Sequence, residues 1–469
     1  MYSVLTDIET RDNLYFDFLA SMNVEWIGLS IGIHYDSYSD PVVRARNCPT
    51  GNFIDSGGFS SACAFYDEDI RSFVSRARAR GFKVYMTLAF ETSAWLDSIN
   101  DPACGTPEYK MSRAFLGSPE FPEWLGAAQD CIPESEWWWN PSNELHEQKK
   151  ATFFSTLTDV AVHYATIGEE EGVELYSLGT ETDELFRTRL DGNFENHFRV
   201  ELQALVDSVR SVYSGLLTYD QQIGSATTDS NKYIFDDLGL DVVGISAYFD
   251  LVDSPPNRIM SVAELEAAWV DAFEEQLVPI KELYPSKPII FTEIGFVNGI
   301  NTPFNHRLNE GELIGEPYDE DNPTEGMIQQ QNIFESFYNV NAQYDDLVAG
   351  TFIWGQDYFP YNNGWGCDRV DWSLVCRPAK DTIANSYGDW IDKDIDRVFD
   401  WAEATFPDVF PAGPSSMEGL GYRFRFYPQS STYLASQAGR VVVHNGTTWN
   451  LLDVGSVREF LDSASQRGF

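Results

Sequence analysis

The stretch Pro288-Ile289-Ile290-Phe291-Thr292-Glu293-Ile294-Gly295-Phe296 constrains this chain more than any other. Apolar residues run without alternation into Thr292 and Glu293, and Gly295 then lets the chain turn. An unbroken apolar run of this length is the pattern of a parallel strand covered on both faces. Such a strand needs a sheet layered with helices. A carboxylate at its end is costly unless it is paired or used, which makes Glu293 a candidate functional group.

The same unit recurs: an amphipathic helix, a turn, then an apolar strand ending in polar residues. Helical patterns at 12–22, 70–80, 147–171, 198–213, 234–240, 262–283 and 327–344 precede strands at 24–33, 82–90, 173–179, 216–219, 241–248, 288–293 and 347–354. A further helix at 378–387 closes the series. This alternation predicts an α/β fold, a (β/α)8 TIM barrel over residues 1–390. Seven strands are visible; the eighth is either the weak stub at 2–6 or a segment preceding Met1. A long loop, 91–143, carries Cys104, Cys131 and the triplet Trp137, Trp138 and Trp139. After residue 391 the pattern changes to a helix at 396–405 and a linker, 406–416, rich in Pro, Gly and Ser. Residues 391–416 are read as helix and linker. Residues 417–469 are read as a small C-terminal β-rich module, with short strands at 422–427, 432–435 and 440–444 and a final helix at 457–465. The alternating acids Asp392, Asp394 and Asp396 mimic a calcium loop, but Arg397 stands where that loop requires Gly, so they read as a solvated helix start.

Charge narrows the partners. Against 31 Lys and Arg stand 73 Asp and Glu, a net charge of −42, which repels nucleic acid and anionic membrane surfaces. No apolar run is long enough to span a bilayer, and no signal peptide is recognisable. The acidic run Asp319-Glu320-Asp321 reads as exposed loop. Six cysteines fall into local pairs, Cys48 with Cys63, Cys104 with Cys131 and Cys367 with Cys376, each closing a polar loop. They form no CxxC and no Cys/His cluster, so neither metal nor cofactor is expected. Disulfides are favoured over free thiols, and with them an oxidising compartment, secreted or periplasmic.

A second carboxylate occupies the same relative place as Glu293. Tyr176-Ser177-Leu178-Gly179-Thr180-Glu181-Thr182-Asp183-Glu184 again runs from apolar strand into polar residues. In a barrel all such strand ends open onto one face, where active sites are built. Glu181 and Glu293 can therefore face each other across the mouth, and a carboxyl separation of ~5–5.5 Å would make them the pair of a retaining glycosidase. Alternatively Glu181 is a structural partner of Arg187 or Arg189, with Asp183 or Glu184 as the working acid. Position at the strand end favours Glu181. The 13 Trp and 23 Tyr suit either a large core or a cleft paved for stacking on sugars. Trp138 and its neighbours either pack the long loop or stack on sugar. Trp354 is read as a platform, with core packing as the plainer alternative. His34 and His306 lack metal-like partners and read as loop or cleft residues. Asp357 either contacts substrate or holds the loop closed by Cys367.

The ordered set Leu178-Gly179-Thr180-Glu181, Leu217-Thr218-Tyr219, Gly244-Ile245-Ser246-Ala247-Tyr248, Phe291-Thr292-Glu293-Ile294-Gly295 and Gly350-Thr351-Phe352-Ile353-Trp354 resembles glycoside hydrolase family 113. This is a clan A TIM-barrel family best known for β-mannanases. The resemblance spans about residues 12–387. It implies Glu181 as acid/base, Glu293 as nucleophile, and Tyr219, Tyr248 and Trp354 around the sugar at the cleavage point. Two departures stand out. Thr180 occupies the place where many clan A enzymes carry an Asn that contacts the sugar 2-hydroxyl; its own hydroxyl could make that bond with shorter reach. The third strand ends Thr87-Leu88-Ala89-Phe90-Glu91, where related mannanases often show a Lys-Pro-His-like end. The expected activity is retaining hydrolysis of a β-linked polysaccharide or oligosaccharide, of β-mannan type or another β-glycan. The competing expectation is a non-catalytic carbohydrate-binding or surface protein on the same scaffold. A metal-dependent hydrolase is disfavoured because the strand ends lack His pairs.

Overall fold

All seven apolar runs form parallel strands of one sheet. The computed structural model describes residues 8–35, 39, 41–45, 67–92, 113, 116–118, 134–190, 197–229, 231–307, 323–344, 347–354, 370–388, 423–428, 439–444 and 449–454. The strands are β1 (Trp26–Tyr35), β2 (Val43–Ala45), β3 (Lys83–Thr92), β4 (Leu175–Thr180), β5 (Leu216–Gln222), β6 (Val243–Ser246), β7 (Ile289–Ile294) and β8 (Val348–Ile353). Their order in the sheet is β2-β1-β3-β4-β5-β6-β7-β8. Only the β1–β2 pairing is antiparallel. The eighth strand of the described sheet is thus the short antiparallel β2; the stub at 2–6 lies outside the described residues.

The sheet curls until Phe352 of β8 packs against Trp26 of β1, ring centroids 6.5 Å apart, and against Tyr85 of β3 at 4.8 Å. Tyr85, Leu175 and Val242, joined by Trp26, Ile290 and Phe352, fill the interior. Contact across the closure is made by side chains, and among the described residues no ladder joins β1 to β8.

The covering helices are α1 (Ile8–Ser21), α2 (Asp67–Ala79), α3 (His146–Glu171), α4 (Arg199–Arg210), the short α5 (Ile223–Ala226) and α6 (Ile234–Asp237), α7 (Val262–Ala272), α8 (Val278–Leu283) and α9 (Glu325–Gln343). Local chemistry sets their ends. In α2, Asp67, Glu68 and Asp69 occupy the first turn and Arg76 and Arg78 the last, matching the helix dipole at both ends. Its buried Ile70, Phe73, Val74 and Ala77 recur at helical spacing on one face. Gly172 ends α3 in the left-handed conformation at φ 75°. Ser261 and Glu264 form a reciprocal capping box at the start of α7. The single helix expected over 262–283 is interrupted by a π turn, Phe273–Leu277, just ahead of Pro279, which cannot donate to the preceding turn.

The chain divides into two compact units, one of residues 1–20 and 24–380, the other of 21–23 and 381–469. The second unit takes most of α10 (Ala379–Gly388) and a three-stranded antiparallel sheet, β9 (Arg423–Pro428), β10 (Gly439–His444) and β11 (Trp449–Val454), ordered β11-β10-β9. Strand β11 has no counterpart in the sequence reading, and the expected strand at 432–435 lies outside the described residues. So do the helices expected at 396–405 and 457–465.

Gly244 shows how closely β5 and β6 approach. A Cβ there would lie 2.6 Å from the Tyr219 carbonyl oxygen and 2.7 Å from Thr218 Oγ1. Gly244→Ala is therefore expected to lower unfolding stability by about 1–3 kcal/mol, measured by urea titration. An unchanged midpoint would show that the two strands can part freely.

Candidate active site

Ladder pairing is irregular mostly at the carboxyl end of the sheet, with one further shift between Ile289 and Ile290 at the start of β7. Register shifts fall between Ser177 and Thr180, between Ile245 and Ser246, and between Phe291 and Ile294. Bulges of this kind re-aim side chains beside active sites. Beyond them Thr180 pairs with Asp220, and Ser246 pairs with Glu293. Glu181, just past β4, has φ 49°, a left-handed backbone that is unfavourable for a Glu and is tolerated where the surroundings hold it.

Three carboxyl groups share this mouth. Asp220 Oδ1 accepts from Ser246 Oγ at 2.9 Å and from the Thr292 hydroxyl. Tyr248 Oη donates to Glu293 Oε2 at 2.8 Å. Arg113 pairs with Glu181 at 2.9 Å. Glu293 is only 8% exposed.

The charges follow from burial and neighbours. Burial pushes Glu293 well above the ordinary carboxyl range, and the Asp220 and Glu181 carboxylates push it further; Arg113 and the Tyr248 hydrogen bond oppose them. Burial and Glu181 raise Asp220 to about 8 against the Thr292 and Ser246 hydrogen bonds and Arg113. Burial would also raise Glu181, but Arg113, Ser246 and Arg307 outweigh it and hold this carboxyl below its usual value. In the resting protein the negative charge therefore settles on Glu181, opposite Arg113. Protons in such a cluster belong to the set more than to any one member.

Of the residues expected to form the site, all but two have a definite place. Glu181 pairs with neither arginine near it in sequence: Arg187 bonds Glu184, and Arg189 makes a two-pronged contact with Asp237 at 2.7 and 2.8 Å. Thr180 is buried, its Oγ1 hydrogen-bonded to Thr87 Oγ1 at 2.8 Å. Tyr248 is half-buried and stacks on His306, centroids 4.9 Å apart. Burial and Arg307 lower the His306 pKa, favouring the neutral ring. Trp354 stands at the end of β8, 42% exposed, its Cβ lying 3.3 Å from where a side chain on Gly295 would begin. The backbone of His34 lies at the carboxyl end of β1, opposite Glu91. The His34 side chain and all of Asp357 lie outside the described residues.

Two placements correct the sequence reading. Tyr219, expected beside the sugar, is fully buried: its ring stacks on Phe186 at 4.0 Å and its hydroxyl is engaged by Thr182 and Asp183. Trp138, a candidate for stacking on sugar, is 0% exposed and stacks instead on Phe153 at 4.3 Å, beside Phe154 and Phe198. Trp139 donates Nε1–H to the Ser118 carbonyl at 2.7 Å, tying down the segment that follows Arg113. Of the cysteines only Cys376 falls among the described residues; it is disulfide-bonded, to a partner outside them.

Sequence reasoning passed over Asp220 and Arg113. Asp220 follows Tyr219 directly, and the strand-end rule that picked out Glu181 and Glu293 would have reached it had β5 been drawn one residue longer. Arg113 lies in a long loop without periodicity and carries no local signal. Among the described residues no trio of His, Cys, Asp or Glu is arranged to hold a metal, and no helix is long and apolar enough to cross a membrane.

The family model that matches this chain is one of glycoside hydrolases. The particular likeness is to Glycoside Hydrolase Family 113, whose model matches residues 134–354 and so takes in both glutamates. The resemblance read from the motifs is borne out. A solved GH113 β-1,4-mannanase shares 16% identity, covering 81% of this chain and 93% of its own, with a TM-score of 0.52. A GH113 β-mannanase from Alicyclobacillus acidocaldarius, in complex with ManMIm, also shares 16%, covering 81% and 92%, at 0.51. A complex of a GH113 β-1,4-mannanase gives 16%, 80% and 92%, at 0.53. At such identity the likeness is one of fold. No curated protein matches the chain in sequence.

Asp220 also predicts how stability depends on pH. Its carboxyl ionises in the unfolded chain above about pH 4 but in the fold only near about 8, so between those values the folded state holds the extra proton. Stability therefore falls as pH rises through that window. Asp220→Asn, which keeps an acceptor for Ser246 and Thr292, is expected to flatten the decline in Tm between about pH 5 and 8. An unaltered slope would mean that Asp220 does not hold that proton.

Proposed function

We propose that the protein is a retaining β-glycosidase acting on a β-linked polysaccharide or oligosaccharide, of β-mannan type, with Glu293 as nucleophile and Glu181 as acid/base. The observation that carries this reading is the meeting of two strand-end glutamates, from β4 and β7, in one electrostatically linked cluster. Glu293 attacks the anomeric carbon while Glu181 protonates the departing oxygen. Glu181 then takes a proton from water as the glycosyl ester is hydrolysed. Tyr248, bonded to Glu293 Oε2, leaves the other carboxylate oxygen to attack. Trp354 offers an exposed ring beside β7 for the sugar face. The family match and the fold of the β-1,4-mannanases support the choice of mannan.

Chemistry requires Glu293 charged and Glu181 protonated, the reverse of the resting preference. Asp220 and Ser246 lie between the two and give the cluster a path for redistributing protons when a sugar enters. The disulfide at Cys376 and the acidic composition accord with an exported enzyme.

Glu293→Gln and Glu181→Gln are each expected to lose on the order of 10³-fold or more in turnover of β-mannan, with circular dichroism unchanged. On a 2,4-dinitrophenyl β-glycoside, whose leaving group departs without protonation, azide is expected to restore turnover to Glu181→Ala, yielding a glycosyl azide with the substrate's anomeric configuration. Full activity in either Gln variant, or tight sugar binding by wild type without hydrolysis across a β-glycan panel, would overturn the proposal.

A further inference from the structure

The turn that carries Glu181 is held by a hydrogen-bond chain hidden from the mouth. The left-handed residue Glu181 is followed by Thr182, whose backbone N–H donates to Tyr219 Oη at 2.7 Å. Tyr219 Oη in turn donates to Asp183 Oδ1 at 2.8 Å, and Asp183 Oδ2 accepts from the Gln222 N–H at 3.1 Å. Glu181 N–H donates to the Asp220 carbonyl at 2.9 Å. Two anchors thus fix the turn to β5 on either side of the Glu181 side chain. The Tyr219 ring is itself fixed between Phe186, stacked at 4.0 Å, and Gly179, where a Cβ would lie 3.3 Å from the ring and 3.2 Å from Phe186.

Neither Tyr219 nor Asp183 reaches a ligand. Tyr219 is 0% exposed and Asp183 4%, and both hydroxyl and carboxyl are fully engaged. A backbone of unfavourable φ persists only where its surroundings over-determine it. Here those surroundings are one phenol and one carboxylate, buried directly behind the group that the reaction would use to move a proton.

We propose that Tyr219, acting with Asp183, is a positioning residue that holds the Glu181 carboxyl in line with the departing oxygen. The proposal rests on the reading of Glu181 as acid/base. Proton transfer depends steeply on placement, so loosening the turn impairs protonation of the leaving group while leaving attack by Glu293 intact. Bond cleavage then depends on how much help the leaving group needs.

The test uses the full-length protein and aryl β-glycosides of the oligosaccharide that wild type cleaves, graded from phenyl to 2,4-dinitrophenyl. Tyr219→Phe keeps the ring and its stacking but removes the hydroxyl's hydrogen bonds to Thr182 and Asp183. Its kcat/KM is expected to fall by about 10²-fold on the phenyl glycoside and on the natural glycan, and by only a few-fold on the dinitrophenyl glycoside. Phe186→Leu serves as a control: it disturbs packing against the same ring, lowers Tm, and is expected to show no such gradient. Equal losses across leaving groups in Tyr219→Phe, or a gradient of the same size in Phe186→Leu, would reduce Tyr219 to ordinary core and overturn the inference. No hydrolysis by wild type on any substrate would instead remove the glycosidase reading and the inference with it.

Discussion

The structure turns on the desolvation of Asp220. This carboxyl sits at the end of a buried strand, between Glu181 and Glu293, and its Oδ1 takes hydrogen bonds from Ser246 on β6 and Thr292 on β7. Three carboxylates brought together out of water cannot all remain charged. The hydroxyls, one guanidinium and retained protons resolve the conflict, and each supplies a constraint on geometry. Strands β5, β6 and β7 are drawn together at their carboxyl ends by the bonds that satisfy Asp220. Gly244 gives up its side chain so that β6 can come that close.

The regular sheet and the irregular mouth divide the labour. Below the shifts at the carboxyl end, apolar side chains such as Tyr85, Leu175 and Val242 pack together in the interior. Above them the pairing slips, and residues that would otherwise alternate inward and outward are re-aimed. Polar groups then converge without opening the core. Aromatic packing follows the same division: Trp138 stacks on Phe153 of α3, while Tyr248, whose hydroxyl bonds Glu293, packs with His306 and Trp372.

Much of the fold was legible because parallel strands buried on both faces have a plain signature. The seven apolar runs with their helices needed only periodicity and turn residues, and Glu181 and Glu293 followed from their place at strand ends. The side to which a strand-end residue points was not legible. Tyr219 was expected beside the sugar only through the family resemblance, and motif likeness does not say which way a ring turns: in the fold it lies buried. Trp138 was ambiguous for another reason, since a Trp in a loop serves packing and stacking equally well until its neighbours are known. The Arg113–Glu181 pair joins residues far apart in the chain through a loop without pattern, and no local rule reaches it. The π turn before Pro279 was foreseeable in kind but not in form, because a proline can kink, end or bulge a helix.

The left-handed backbone at Glu181 has a consequence for evolution and engineering alike. Glycine and asparagine adopt that conformation with far less strain than glutamate does. A lineage freed from selection at this position would gain backbone stability by replacing Glu181, and screens for stability alone would select the same change. Drift at position 181 is therefore biased toward a tougher protein whose mouth has lost this carboxyl.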